Sequence, residues 1–360
     1  MESALVENML YDVERYRQDF PILQREVKGH PLVYLDNAAT TQKPQSVIKA
    51  LTDYYSLYNA NIHRGIHSLA EEATAAYEAT RDAAKDFLGA ASREEIIFTR
   101  GTTEGINLVA YTWGMQNLKA GDEVIVSGME HHSNTVPWQI ACEHTGAKLR
   151  VIPVTDAGEL DMEAFSSLLS EKTKLVSVVH VSNAFGTVNP VEEIIRKAHT
   201  VGALVMVDGA QSTVHLTINV QELDCDFFAC SSHKVYGPTG VGVLYGKKKL
   251  LEAMPVFQGG GEMIKEVCFE KTTYNDLPYK YEAGTPNIAD TIAFKAALDY
   301  VQTLGRERIR LYEEDLLAYA TDTIGSLDGI RILAAKSKTY QRSVVCCRRR
   351  TSTGSGHFAR

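Results

Sequence analysis

Short apolar runs alternate along this chain with longer stretches of helical character, and that alternation leaves few architectures open. Residues 32–35, 95–98, 123–126, 175–179, 204–207, 227–229 and 241–245 read as strands. Between most of them lie amphipathic helical segments, such as 68–87 and 191–201. Strand and helix in alternation predict an α/β domain with a largely parallel sheet. Binding residues then gather just beyond the carboxyl ends of the strands. An N-terminal segment, 13–20, reads as a helix stopped by Pro21. A break at Ala283-Gly284-Thr285-Pro286-Asn287 precedes a long helical region, about 288–324, and 329–333 reads as the opening strand of a second domain.

The strand ends carry the chemistry. The run 204–207 leads into Asp208-Gly209-Ala210-Gln211, and the run 227–229 leads into Ser231-Ser232-His233-Lys234. A lysine and an aspartate at neighbouring strand ends suggest pyridoxal 5'-phosphate (PLP). The amine forms a Schiff base with the cofactor aldehyde, and the carboxylate keeps the pyridine nitrogen protonated. After 95–98 comes Gly101-Thr102-Thr103, either a phosphate cradle at a helix N-terminus or an ordinary threonine-capped helix. After 123–126 comes Glu130-His131-His132-Ser133-Asn134, where an imidazole could stack on a pyridine ring. The paired histidines lack a further ligand at metal-site spacing, so no metal is expected. Asn183, after 175–179, reads as a cofactor or substrate contact or as a turn asparagine.

Composition narrows the class. A hydrophobic fraction of 44% and a charged fraction of 23% are those of a soluble globular protein, and no run approaches the ~20 apolar residues of a membrane span. Met1-Glu2-Ser3-Ala4 opens no secretory signal, so a cytoplasmic protein is expected. A net charge of −8 argues against nucleic-acid binding. Cys142, Cys225, Cys230, Cys268, Cys346 and Cys347 form no CxxC pair, which argues against a disulfide framework or a zinc site. Residues 334–360 hold seven basic residues and no acidic one, against the acidic balance elsewhere, and read as disordered or foreign to the fold.

Together these motifs resemble the PLP-dependent fold-type I enzymes of the class V aminotransferase group. More narrowly, they resemble the group II cysteine desulfurases of the Suf iron–sulfur assembly system. The match is carried by Tyr34-Leu35-Asp36-Asn37-Ala38-Ala39-Thr40-Thr41, Asn61-Ile62-His63-Arg64-Gly65-Ile66-His67, the strand-end motifs above and Ala283-Gly284-Thr285-Pro286-Asn287. The resemblance implies a mostly parallel seven-stranded large domain over 31–285, after an N-terminal helical segment at 1–30. It implies the start of a small C-terminal α+β domain over 286–333, with the aberrant tail at 334–360.

It also implies residue roles. Lys234 is the Schiff-base lysine and takes the substrate α-proton, Asp208 pairs with the pyridinium, and His131 stacks on the ring. Thr103, Ser231 and His233 hold phosphate, Thr102 is a further cofactor contact, and Gln211 meets the phenolic oxygen. Asn183 lies beside cofactor and substrate, and His63 faces the substrate. Thr285 reaches the phosphate of a neighbouring subunit, which implies a homodimer. L-cysteine or selenocysteine is the implied substrate, and a Suf sulfur-acceptor protein the implied partner. The family's persulfide cysteine and carboxylate-binding arginines lie later than this chain extends, so impaired sulfur transfer is expected, through a frameshift or truncation. Selenocysteine or cysteine-sulfinate lyase activity, or a non-catalytic PLP-binding remnant, are the competing readings.

Overall fold

The structure, a computed structural model, describes residues 11–328, 330–333 and 344–347. Seven strands form the central sheet: β1 (Ile96–Thr99), β2 (Glu123–Ser127), β3 (Lys148–Ile152), β4 (Thr173–Val179), β5 (Leu204–Asp208), β6 (Phe227–Ser231) and β7 (Gly242–Gly246). Their spatial order is β1-β7-β6-β5-β4-β2-β3. β7 runs antiparallel to both β1 and β6, and the other pairings are parallel. Apart from the outer strand β3, the strands are buried and mostly apolar because both faces are covered. Phe228 and Cys230 point into one apolar cluster, and Phe227 and Ala229 into the other.

Helices supply the cover. The principal ones are α1 (Val13–Gln18), α2 (Gln45–Asp53), α3 (Ser68–Leu88), α4 (Thr102–Val109), α5 (Val136–Thr145), α6 (Val191–Thr200), α7 (Ile288–Leu304) and α8 (Arg306–Gly325). Helix α3 buries Ala70, Ala73, Tyr77, Thr80, Arg81, Ala84, Phe87 and Leu88, a stripe at three- and four-residue spacing. Its end is set by Gly89 in the left-handed conformation (φ 67°), which closes the last turn without a Cβ clash. Helix α7 packs against α2 and α3 and buries Ile288, Ile292, Phe294, Leu298, Val301 and Leu304. Each such side chain contributes about 1.5–3 kcal/mol of burial free energy. No helix among the described residues is long and apolar enough to cross a membrane.

Four expectations need correction. Residues 32–35 form no strand, and Val33 and Leu35 are exposed. The segment leads into a turn at Asp36, with Ala39 N–H donating to the Asp36 carbonyl and Tyr34 Oη to the Thr40 carbonyl. This turn brings Ala38 to Gln211 and Thr41 to His233, beyond the carboxyl ends of β5 and β6, instead of into a ladder. The seventh strand is β3, which the pattern hid because Lys148 and Arg150 interrupt its apolar residues on an outer strand. The long helical region breaks at Gly305 (φ 83°) into α7 and α8. Finally, the tail is not uniformly without structure: Val344–Cys347 pairs antiparallel with Ile330–Leu333. The rest of 334–360, and residues 1–10, lie outside the described residues.

Candidate active site

Because β7 alone is reversed, β1, β2, β4, β5 and β6 all end at the same edge of the sheet. β5 ends at Asp208, 1% exposed, whose Oδ1 accepts the Ala210 N–H at 2.9 Å. Burial raises its pKa, opposed by that hydrogen bond and by the Lys234 charge. β6 ends at Ser231, and a single 3-10 turn, Ser232–Lys234, presents the lysine. Burial lowers the Lys234 pKa, and the Asp208 charge works against it. Beyond β2, partial burial lowers the His131 pKa, aided by the Lys234 charge and opposed by Asp208. Lys234, Asp208 and His131 thus form one electrostatic neighbourhood built from three strand ends.

The second feature is an anion cradle. Thr102 N–H donates to Ser231 Oγ at 2.8 Å, and the two hydroxyls are also 2.8 Å apart, which ties the start of α4 to the end of β6. Gly101 adopts φ 150°, rare for residues with a side chain, and a Cβ there would stand 3.2 Å from Ser231 Oγ. Thr103 follows, exposed at the helix mouth. His233 is held at a pKa of about 4 by burial, then by the charges of Lys234 and Lys43, and is neutral at physiological pH. Hydroxyls, a helix N-terminus and an imidazole suit a phosphate. A buried carboxyl facing a lysine of reduced basicity suits a pyridinium and an aldehyde, so the donor set fits PLP.

The cradle has a rigid floor. A Cβ on Gly242 would collide with the Gly101 Cα and sit 2.5 Å from the Cys230 carbonyl oxygen, both backbone atoms. Gly242→Ala is expected to lower stability by about 1–3 kcal/mol. Equilibrium dialysis of PLP with the folded variant should show weaker retention, because the added methyl pushes Gly101 out of place.

The other expected residues are placed as follows. Gln211 is buried and donates Nε2–H to the Ala38 carbonyl at 2.8 Å. Asn183 is exposed at the head of a turn that Ser182 caps. Thr285 is exposed, just beyond Gly284 (φ 80°). His63 has a left-handed backbone (φ 67°), and its Nε2 stands 3.1 Å from Glu78 Oε1. Burial would raise the Glu78 pKa, but the His63 contact and Arg81 bring it down to about 2.

Sequence reasoning passed over several groups. The Glu130 carboxylate accepts from Ser127 Oγ, Asn134 Nδ2 and the Val179 N–H, clamping the His131 turn to β4. Burial pushes this carboxyl up to about 8 against those three bonds. Its place in the Glu130-His131 motif was the available signal. Fully buried Arg81 forks onto Glu282 at 2.7 and 2.9 Å, and nothing local in the sequence announces that pair. Cys142, Cys225 and Cys230 are buried with pKa values raised chiefly by burial, whereas Cys268 is exposed. Cys346 and Cys347 lie in the terminal strand pair. Among the described residues no group of three His, Cys, Asp or Glu is placed to hold a metal ion.

A cavity of about 460 Å³ lies elsewhere, lined by His180, Asn189, Glu192 and Glu193 among others, and includes none of Lys234, Asp208 or His131. Burial drops the His180 pKa from 6.5 to about 4. The unfolded chain therefore takes up this proton first, so stability is present above pH 6.5 and falls as pH drops toward 4. The gap between the two pKa values corresponds to about 3 kcal/mol. Urea midpoints measured from pH 7 to pH 5 should fall more steeply in the wild type than in His180→Phe.

Residues 33–355 match the protein family described as Aminotransferase class-V. A cysteine desulfurase of Synechococcus elongatus is 54% identical over 323 residues, covering 90% of this chain and 52% of that protein. A probable cysteine desulfurase of Synechocystis is 54% identical over 329 residues, covering 91% of this chain and 78% of that protein. This chain therefore spans about half the length of the first relative and more than three quarters of the second. Among solved structures, a cysteine desulfurase of Escherichia coli, CsdA, superposes with a TM-score of 0.83 at 41% identity, over 89% of this chain and 79% of that one. That of Thermococcus onnurineus gives 0.84 at 38% identity, over 89% and 78%. The family match takes in every one of the strand ends described above, and this chain belongs to the aminotransferase class-V family.

Proposed function

We propose that this chain is a PLP-dependent cysteine desulfurase, converting L-cysteine to L-alanine and passing the sulfur to a thiol acceptor. The observation that carries the reading is the convergence of Lys234, Asp208 and His131 at one sheet edge, beside the Thr102–Ser231 cradle. Bound PLP supplies an electron sink at the substrate α-carbon.

The chain's own groups do the rest. Thr102, Thr103, Ser231 and His233 would hold the phosphate, and Asp208 would pair with the ring nitrogen. His131 would stack on the ring, and Gln211 and Asn183 would orient it. Lys234, its basicity reduced by burial, would be the residue that holds the cofactor and the base for the substrate α-proton. His63 faces the substrate. In the overall transfer an acceptor thiolate attacks the substrate sulfur. An S–S bond forms, the C–S bond breaks, and the β-carbon gains a proton to give alanine.

Residues 31–285 make up the cofactor domain in this reading, and 286–333 begin the small one. A homodimer, with Thr285 reaching a neighbour's phosphate, and a Suf-type sulfur-acceptor protein complete it. Free cysteines at 142, 225, 230 and 268 suit a reducing, cytoplasmic setting.

The test uses the purified 360-residue chain with PLP. The expected results are a visible absorbance band and alanine formation from cysteine. Sulfide release well below that of a longer relative would agree with impaired transfer, and equal release would remove the impairment from the reading. Turnover of selenocysteine or cysteine sulfinate alone would favour the lyase alternative. Colour without any turnover would leave a PLP-binding remnant. A folded chain that stays colourless would defeat the PLP assignment.

A further inference from the structure

Lys43 is a half-buried cation for which neither fold nor proposed reaction has a use. Its Nζ donates to the Thr41 and His233 carbonyls, the latter at 3.2 Å. Among the described residues no carboxylate pairs with it. Burial alone lowers its pKa from 10.5 to about 8, so at neutral pH it carries a charge that its surroundings disfavour. A group of this kind costs stability: the folded chain holds the proton less tightly than the unfolded one, and the penalty lifts only as pH rises above 8.

The acceptor of that charge is notable for its position. The His233 carbonyl immediately precedes Lys234 in the chain. Besides Lys43, it accepts from the Thr40 hydroxyl at 3.2 Å, and from the Thr41 N–H and hydroxyl, both at 3.0 Å. The Thr41 hydroxyl in turn accepts the Tyr236 N–H at 2.9 Å, closing the brace on the far side of Lys234. Four donors, one of them cationic, thus converge on the peptide that carries the lysine. The Lys43 charge is also felt by the His233 ring, at the anion cradle.

We propose that Lys43 is a positioning residue that clamps the His233–Lys234 peptide and lends positive charge to the cradle, at the expense of fold stability. The inference rests on Lys234 being the cofactor lysine. Its signature is a split that no purely structural role produces: removing the charge should weaken cofactor binding without weakening the fold.

Lys43→Met keeps the apolar stem and removes the charge. The PLP dissociation constant, from dialysis and the visible band, is expected to rise about tenfold, the scale of one charge-assisted hydrogen bond. The melting temperature of the PLP-free variant should equal or exceed that of the wild type. Lys43→Arg, which keeps the charge, should bind PLP more tightly than Lys43→Met. Wild-type affinity in Lys43→Met would overturn the proposal, and so would affinity and melting temperature falling together, which marks a structural residue. A wild-type chain that never develops the visible band would instead remove the Lys234 reading, and this inference with it.

Discussion

Lys234→Ala is expected to abolish the visible absorbance band formed with PLP. It should also slow exchange of the substrate α-proton with solvent by ~10²- to 10⁴-fold, the usual contribution of one positioned base. The fold should survive, because Lys234 is desolvated and the alanine variant no longer buries an amine. The cradle is untouched, so PLP should still bind, now reversibly and without the lysine bond. Absorbance spectra before and after dialysis, with deuterium uptake at the α-carbon of cysteine, check both parts. One result would sink the assignment: a band that persists in Lys234→Ala. Lys43 would then be the amine to suspect, since its basicity is also reduced and it bonds the neighbouring carbonyl.

The largest effect on stability is expected from Arg81→Met. Arg81 has no solvent exposure, and its donors reach Glu282, Glu78 and the Ile96 carbonyl. Glu282 Oε1 also accepts the Phe98 N–H at 2.8 Å, so the ion pair joins α3, β1 and the segment leading to Thr285. Removing the guanidinium leaves the buried Glu282 carboxylate without its counter-charge and takes one partner from Glu78, which keeps His63, and costs about 3–5 kcal/mol. Arg81→Met with Glu282→Leu should recover part of this loss, because an apolar pair avoids the desolvation cost, although Phe98 N–H then loses its acceptor. Urea unfolding of both variants checks the point. An Arg81→Met midpoint close to wild type would show that the network carries little net stability.

Much of the sheet is legible in the residue pattern alone, and the reason is local. In β1, β2, β4, β5, β6 and β7 consecutive apolar residues serve both faces, so the signal sits within four to seven neighbours. The two misreadings share a cause. Residues 32–35 are an unbroken apolar run and β3 is interrupted by Lys148 and Arg150, yet only β3 is a strand, because what decides is whether a partner edge is in reach. β3 finds the edge of β2, whereas 32–35 finds none and passes on into the turn at Asp36. The site divides the same way. Asp208 and Lys234 stand at recognisable strand ends, but Glu130 gains its meaning only when β4 brings Val179 to it.

The order of residues along the chain is enough to establish the alternation of strand and helix, the chemistry waiting at the strand ends and the family. These follow from contacts between residues few positions apart. The folded arrangement settles which acceptors the buried cations reach: Arg81 the Glu282 carboxylate across 201 positions, and Lys43 the His233 carbonyl across 190. A buried charge is tolerated only where the fold delivers a partner, and no pattern along the chain says which distant residue arrives. The reversal of β7 belongs with these. It leaves the other six strands ending on one edge, and that shared edge is what turns scattered motifs into a single site.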